Sequence, residues 1–380
     1  MIYIFVFTGE FGFELLNWQG TVRKFASTIS SEDYIVCCSR AQVYPLYKSA
    51  ARYIEISEVE SFKKSRAREY MVVSDADEPI SIIRTPLCNY RVNTDIRTLV
   101  LQDLEEDKIL KYGPYRFIFS SEKTILHGCN FGINQYASLG GILIQKIHRY
   151  ARKTLPVGQE ILEQFKLFLA KQLDGLYHRG DGEIYASLNC NNVIFSKIEA
   201  DLSCKSSVEE KLGWKLAEPF ILCQARQRTI SAPSQEEIPI RELAYLIRTL
   251  AGKVKVVLLS FHTGRWLDSY SQFETTSGCS LYHCTSFPEQ ACLIHFAGHC
   301  VFFTEGDFGS HIYVPPLMGK NVTAVAPQTV FQQESAPIEF WNQYIFQFGG
   351  QILPKTTEEI FSSPKNIHAA VDGILEHVHG

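Results

Sequence analysis

Three short stretches of this 380-residue chain combine glycines, charges and hydroxyls in patterns that can do chemistry. The first is TGEFGFE at 8–14, directly after an apolar run. Gly9 and Gly12 allow a tight turn and a close approach of backbone to a ligand. Glu10 and Glu14 offer carboxylates that can take up a proton. The same acids also suit the first turn of a helix, where they complement its dipole. The stretch lacks the three glycines of the dinucleotide fingerprint, and its acids would repel phosphate. The second is QARQR at 224–228. Arg226 and Arg228 have the forked guanidinium that grips phosphate bidentately, and are equally at home as a solvated surface pair. The third is TEGDFGSH at 304–311. Gly306, Gly309 and Ser310 would expose backbone N–H groups at a helix start, which is an anion site. Ser310 adds a hydroxyl and His311 a ring N–H, with Glu305 and Asp307 in the same loop. As an ordinary loop, it would use Asp307 or Ser310 as the N-cap.

Other candidates are weaker. His262, in FHTGR, follows an apolar run and could touch a ligand, although a satisfied structural histidine explains it as well. Asp75 and Asp77, in SDAD, have the spacing to share a divalent cation from one face of a strand, and a turn explains them equally. HRGDG at 178–182 reads as a polar turn. Cys284, Cys292, His295, His299 and Cys300 invite thought of zinc, but their spacing matches no structural zinc pattern. No nucleophile elbow and no Walker loop is present. Eleven cysteines, with no Cys-x-x-Cys pair, read as reduced core residues.

These loops need elements to hold them. MIYIFVF, YIVCCS and YIEIS read as strands, with helical patterns at LLNWQGTVRKFAST and AQVYPLYKSAARY between them. Strands alternating with helices predict βαβ units and a parallel sheet. From 57 to 216 the pattern is harder to read, with strands expected near 70–73 and 116–119 and a helix over 161–176. From 218 the alternation returns: strand PFILCQAR, helix IPIRELAYLIRTLAG with Gly252 as its C-cap, strand KVKVVLLSF and a strand in GCSLYHCTSF. Then come a helix opening at Pro288, strand CVFFT, a short helix in DFGSHIYVPPLMG and strand NVTAVAP. IEFWNQYIFQFGG and SPKNIHAAVDGILEHVHG read as terminal helices. All three candidate loops thus leave the carboxyl ends of strands, where ligands bind in parallel sheets.

Composition narrows the function. Thirty-seven Lys and Arg against 41 Asp and Glu give a net charge of −4, which lacks the footprint of a nucleic-acid binder. The hydrophobic share of 46% suits a chain with a large core. The apolar start is too short to span a membrane and lacks a signal-peptide pattern, so a cytoplasmic protein is expected.

Residues 218–327 resemble the nucleotide-sugar-binding half of a GT-B glycosyltransferase. The carriers are the rhythm of FPEQACLIHFAGHCVFFTEGDFGSHIYVPPLMGKNVTAVAP and two motifs within 218–327. Asp307, Phe308, Gly309, Ser310 and His311 are similar to the Asp-x-Gly-x-x-His of heptosyltransferase-like enzymes, one residue shorter. Gln224, Ala225, Arg226 and Gln227 are similar to the His-x-Arg-Arg of fucosyltransferases, with Arg226 matching and Gln224 in the place of His. The resemblance implies an α/β protein of two Rossmann-like domains facing each other across a cleft. Domain 1–216 would take the acceptor, with the helices of 338–380 packing back on it, and 217–337 would hold the donor. It implies sugar transfer from a nucleotide-activated donor to a hydroxyl acceptor, as in polysaccharide biosynthesis, without metal or other cofactor. Gly9, Gly12, Arg226, Arg228, His262, Glu305, Asp307, Gly309, Ser310 and His311 would bind the donor. In an inverting reaction Glu10, or Glu14 one turn on, would act as base. The competing expectations are an inactive GT-B-like protein that binds nucleotide sugar or glycan, a sugar epimerase and a pyruvyl transferase.

Overall fold

The computed structural model describes residues 1–7, 11, 14–59, 90–120, 176–178, 184–186, 196–226, 238–261, 273, 276–304, 310–331, 342 and 348–379. The chain divides into two compact units, Met1–Phe195 and Ser196–Gly380.

The first unit is built on a six-stranded sheet. Its strands are β1 (Ile2–Val6), β2 (Tyr34–Ser39), β3 (Arg52–Glu55), β4 (Tyr115–Ser120), β5 (Leu176–His178) and β6 (Ile184–Ala186). Their order is β3-β2-β1-β4-β6-β5, parallel throughout except that β5 runs antiparallel to β6. Parallel strands are covered on both faces, and so read as continuous apolar runs. On one face Ile2, Ile4 and Val6 pack with Val36, Ile54 and the stripe Ile96, Val100 and Leu104 of helix α2 (Tyr90–Glu106). On the other, Phe5 meets Trp18 and Phe25, the latter from helix α1 (Gln19–Ala26). The helix expected at AQVYPLYKSAARY is only a single 3₁₀ turn, Tyr44–Tyr47. Tyr47 stacks on Tyr53 and Tyr44 meets it edge-on, and β3 begins at Arg52, which leaves no room for further turns. Helix α2 had no sequence expectation.

The second unit opens with helix α3 (Lys205–Leu212) and continues with β7 (Phe220–Arg226), α4 (Ile240–Ala251), β8 (Lys255–Phe261) and β9 (Cys279–Cys284). Next come α5 (Phe287–Phe296), β10 (His299–Thr304), α6 (Ser310–Leu317), β11 (Val322–Ala326), β12 (Ile352–Thr356), α7 (Thr357–Phe361) and α8 (Pro364–His379). The sheet order is β12-β11-β10-β7-β8-β9, every neighbouring pair parallel. Numbered from β7, this is the 3-2-1-4-5-6 order of a Rossmann fold. One face carries α4 and α8 over Ile221, Cys223, Val256, Leu258, Val301 and Phe303. Helix α5 starts as its sequence predicts: Pro288 sits in the first turn, and the Ser286 hydroxyl caps it by accepting from the Glu289 N–H. Gly252 does follow α4, but in right-handed conformation. A positive φ occurs instead at Gly278 (+79°), before β9, where a Cβ would strike the Ala251 carbonyl oxygen.

Two boundary expectations are corrected. The segment before Leu216 belongs to the second unit. Its Lys211 ion-pairs with Glu289 of α5, Trp214 meets Phe220 edge-on, and the Ile198 N–H donates to the Leu317 carbonyl at 2.8 Å. The polar look of KSSVEEKL is that of a one-sided helix, buried through Val208 and ended by Gly213 in left-handed conformation. The C-terminal segment, expected with 1–216, belongs to the second unit. Strand β12, in the stretch 351–362 to which the sequence assigns no element, extends the sheet beside β11 and tolerates Pro354 because it is an edge strand. Ile367, Val371 and Ile374 of α8 then form a stripe on the core beneath α4. The expected strand at 70–73, and the terminal helix at 338–350 apart from Asn342 and 348–350, lie outside the described residues. So does the helix at 161–176 apart from Leu176, which is in β5.

Candidate functional site

In an open parallel sheet, the crevice forms where strand order reverses, beyond the carboxyl ends. In the second unit that point lies between β7 and β10. Register there pairs Gln224 with Phe302, Ala225 with Phe303 and Arg226 with Thr304. The two loops singled out from sequence therefore leave adjacent strands side by side. Helix α6 begins at Ser310, with His311 next in its first turn. Gly319, in left-handed conformation at φ +78°, follows the helix, where a Cβ would strike the Phe348 carbonyl. His262 directly follows the last residue of β8, the other neighbour of β7. Arg228, His262, Glu305, Asp307 and Gly309 lie outside the described residues. For Arg226, Ser310 and His311 the backbone position is what the structure describes.

The three strands at this edge change character as they reach it. Their interiors are apolar, and near the carboxyl ends buried polar side chains appear: Gln224, Ser260 and Thr304. Gln224 is 6% exposed, and its Oε1 has no hydrogen-bond partner among the described residues. A helix start beside this edge can hold an anion. In the sequence Gln224 stands out only as a departure from a motif; its burial among apolar neighbours is not legible there.

The first unit has its own switch point, between β1 and β4. Gly9, Glu10 and Gly12, on the loop after β1, lie outside the described residues. Glu14 opens a short π-helical turn, Glu14–Trp18, that runs into α1. It is fully buried and enclosed by partners. The Tyr47 hydroxyl donates to Oε1 at 2.7 Å, and Arg40 Nε lies 3.0 Å from Oε2. Arg40 also stands over the Phe11 ring, and its carbonyl accepts from the Tyr53 hydroxyl. Burial first, then the Glu14 charge, push the Tyr47 phenol well above the usual tyrosine range, so it stays a donor. The arrangement fastens the start of α1 to the turns after β2.

The cysteine and histidine set does not converge. Among the described residues no three His, Cys, Asp or Glu side chains are placed to hold a metal ion. Cys284 donates to the Ser286 carbonyl, while His299 bonds to the Thr323 hydroxyl at 2.8 Å and stacks on His377. Asp75 and Asp77 lie outside the described residues. No helix among the described residues is long and apolar enough to cross a membrane.

No known family matches the chain, and no curated protein matches it. Among solved structures it is similar to E. coli ADP-heptose LPS heptosyltransferase II, at 10% identity over 100% of both chains with a TM-score of 0.49. It is similar to a family 9 glycosyl transferase from Veillonella parvula, at 11% identity over 99% of this chain and 96% of that one, TM-score 0.46. A UDP-GlcNAc 2-epimerase from Neisseria meningitidis is similar at 11% identity over 99% and 92%, TM-score 0.39.

Proposed function

We propose that the protein is a glycosyltransferase whose second unit holds a nucleotide-sugar donor at the β7–β10 switch point. The observation that carries the reading is the register that sets Arg226 beside Thr304, so that the arginine loop and the loop opening α6 start together. Arg226, with Arg228, would pair with the donor diphosphate, and the α6 start with Gly309, Ser310 and His311 would add N–H donors to it. The same groups would stabilise charge developing on the leaving diphosphate, which is their catalytic contribution. His262, Glu305 and Asp307 complete the proposed donor set, on the loops after β8 and β10. Gly9 and Gly12 would shape the loop after β1, on which Glu10 is our choice of base for the acceptor hydroxyl. Glu14, with both oxygens engaged, is assigned to holding that loop's exit in place. The reading requires no metal.

The test is a thermal-shift screen of UDP-, GDP-, ADP- and CMP-sugars, followed by a donor-hydrolysis assay. A donor at a hundred times its Kd should stabilise the protein by about 2.7 kcal/mol, and release of free nucleoside diphosphate should follow. Binding without release would make this a binding protein, and no binding by any donor would sink the reading.

A further inference from the structure

We infer that Gln224 is a ligand-contacting residue whose Oε1 accepts a hydrogen bond from a hydroxyl or amino group in the uncharged part of the ligand. The inference rests on the donor-site reading above. Gln224 is 6% exposed on the third-last position of β7, and its Oε1 is unpartnered among the described residues. Its register neighbours, Leu259 on β8 and Phe302 on β10, have no side-chain donor to offer. Leaving a buried carbonyl oxygen unpaired is costly, and native structures do so rarely. A sheet interior with no other use for the group would take leucine or methionine there, as Leu222 does two positions earlier on the same face.

The position says what supplies the missing donor. Gln224 lies one strand-face step before Arg226, beside the switch point and next to the strand whose loop opens α6. A carboxamide oxygen accepts and does not donate. A diphosphate, ionised at neutral pH, has no proton to give it, whereas the hydroxyls of a ribose or sugar and the exocyclic amine of a base do. The contact therefore discriminates a nucleoside-bearing or sugar-bearing ligand from a bare diphosphate, while the arginine and the helix start serve the phosphates.

The experiment pairs Gln224→Met, close in shape and without polar atoms, with isothermal titration of inorganic pyrophosphate, ADP, UDP, GDP, CMP and UDP-N-acetylglucosamine, and with melting of the ligand-free protein. The ligand-free variant should melt at or above the wild-type temperature, because an unpaired polar group has been replaced by an apolar one. Affinity for at least one nucleoside-bearing probe should fall roughly 5- to 150-fold, and that for pyrophosphate should stay within about twofold. A variant that melts lower or does not fold shows a structural partner for the carboxamide and overturns the inference. Equal losses for pyrophosphate and nucleotides, or no loss at all, overturn it while the donor-site reading stands. If the wild-type protein binds none of these probes, the donor-site reading fails and takes this inference with it.

Discussion

Replacing Glu14 by Gln tests whether the acid after the β1 loop positions the chain or performs proton transfer. The substitution keeps the shape and removes the charge. Removing one partner of a fully buried ion pair costs about 3–5 kcal/mol, because the other charge is left without its counter-ion. Glu14 is fully buried, but the Arg40 side chain keeps 13% exposure, so water recovers part of the loss. We therefore expect roughly 2–4 kcal/mol, below the fully buried range. For a unit of the size of Met1–Phe195 this is a fall in Tm of roughly 4–16 °C. Tyr47→Phe removes one hydrogen bond to the charged carboxylate and should cost about 1.5–3 kcal/mol. Because both changes act on one cluster, the double variant should fall short of the sum by at least about 0.5 kcal/mol. Differential scanning calorimetry reads all three, with the transition of the second unit as internal control. A Glu14→Gln protein that melts within about 1 °C of wild type would refute the buried-pair argument. If it also lost transfer activity, the acid would return to the chemistry.

Four further outcomes follow from named residues. Burial, and secondarily His377, hold the His299 pKa down to about 4, below its ordinary value of 6.5. The unfolded chain thus binds the proton more readily between those values, so stability is full above about pH 6.5 and falls as pH drops toward 4. The loss should reach about 3 kcal/mol at most, and His299→Gln should flatten it in urea titrations at pH 7 and pH 4.5. Arg226→Ala should lower kcat/KM for transfer by about ten- to 150-fold, through one charge-assisted bond to phosphate, and normal kinetics would return it to the surface. Glu10→Gln should bind donor normally yet transfer at least about a hundredfold more slowly, whereas loss of donor affinity would make the carboxylate a loop-holding group. EDTA should leave turnover intact, and metal-dependent turnover would revive Asp75 and Asp77.

Much of this protein was legible in its sequence. Runs such as IYIFV, YIVCCS and KVVLLSF declare buried parallel strands because both faces are covered, and their side chains need no alternation. Pro288 marks a helix start because it lacks the N–H that a first turn leaves unpaired, a matter of one residue's chemistry. Glycines, acids and arginines at strand ends point to loops that can meet ligands. Tertiary structure decided which of these meet. Arg226 and Thr304 become neighbours only because the chain returns to the middle of the sheet after building one side of it, and a strand's own residues do not state its order. Glu14 looked like a free acid at a loop exit, and its partners Arg40 and Tyr47 come from the turns after β2. Strand β12 carries a proline and a lysine and reads as no strand alone; an open edge at β11 recruits it through backbone bonds that side-chain pattern does not encode. The same holds for Gln224, whose polar end is unremarkable in FILCQAR. Only the apolar register neighbours on both sides make its unpaired oxygen a feature, since the cost of a buried polar group depends on what surrounds it.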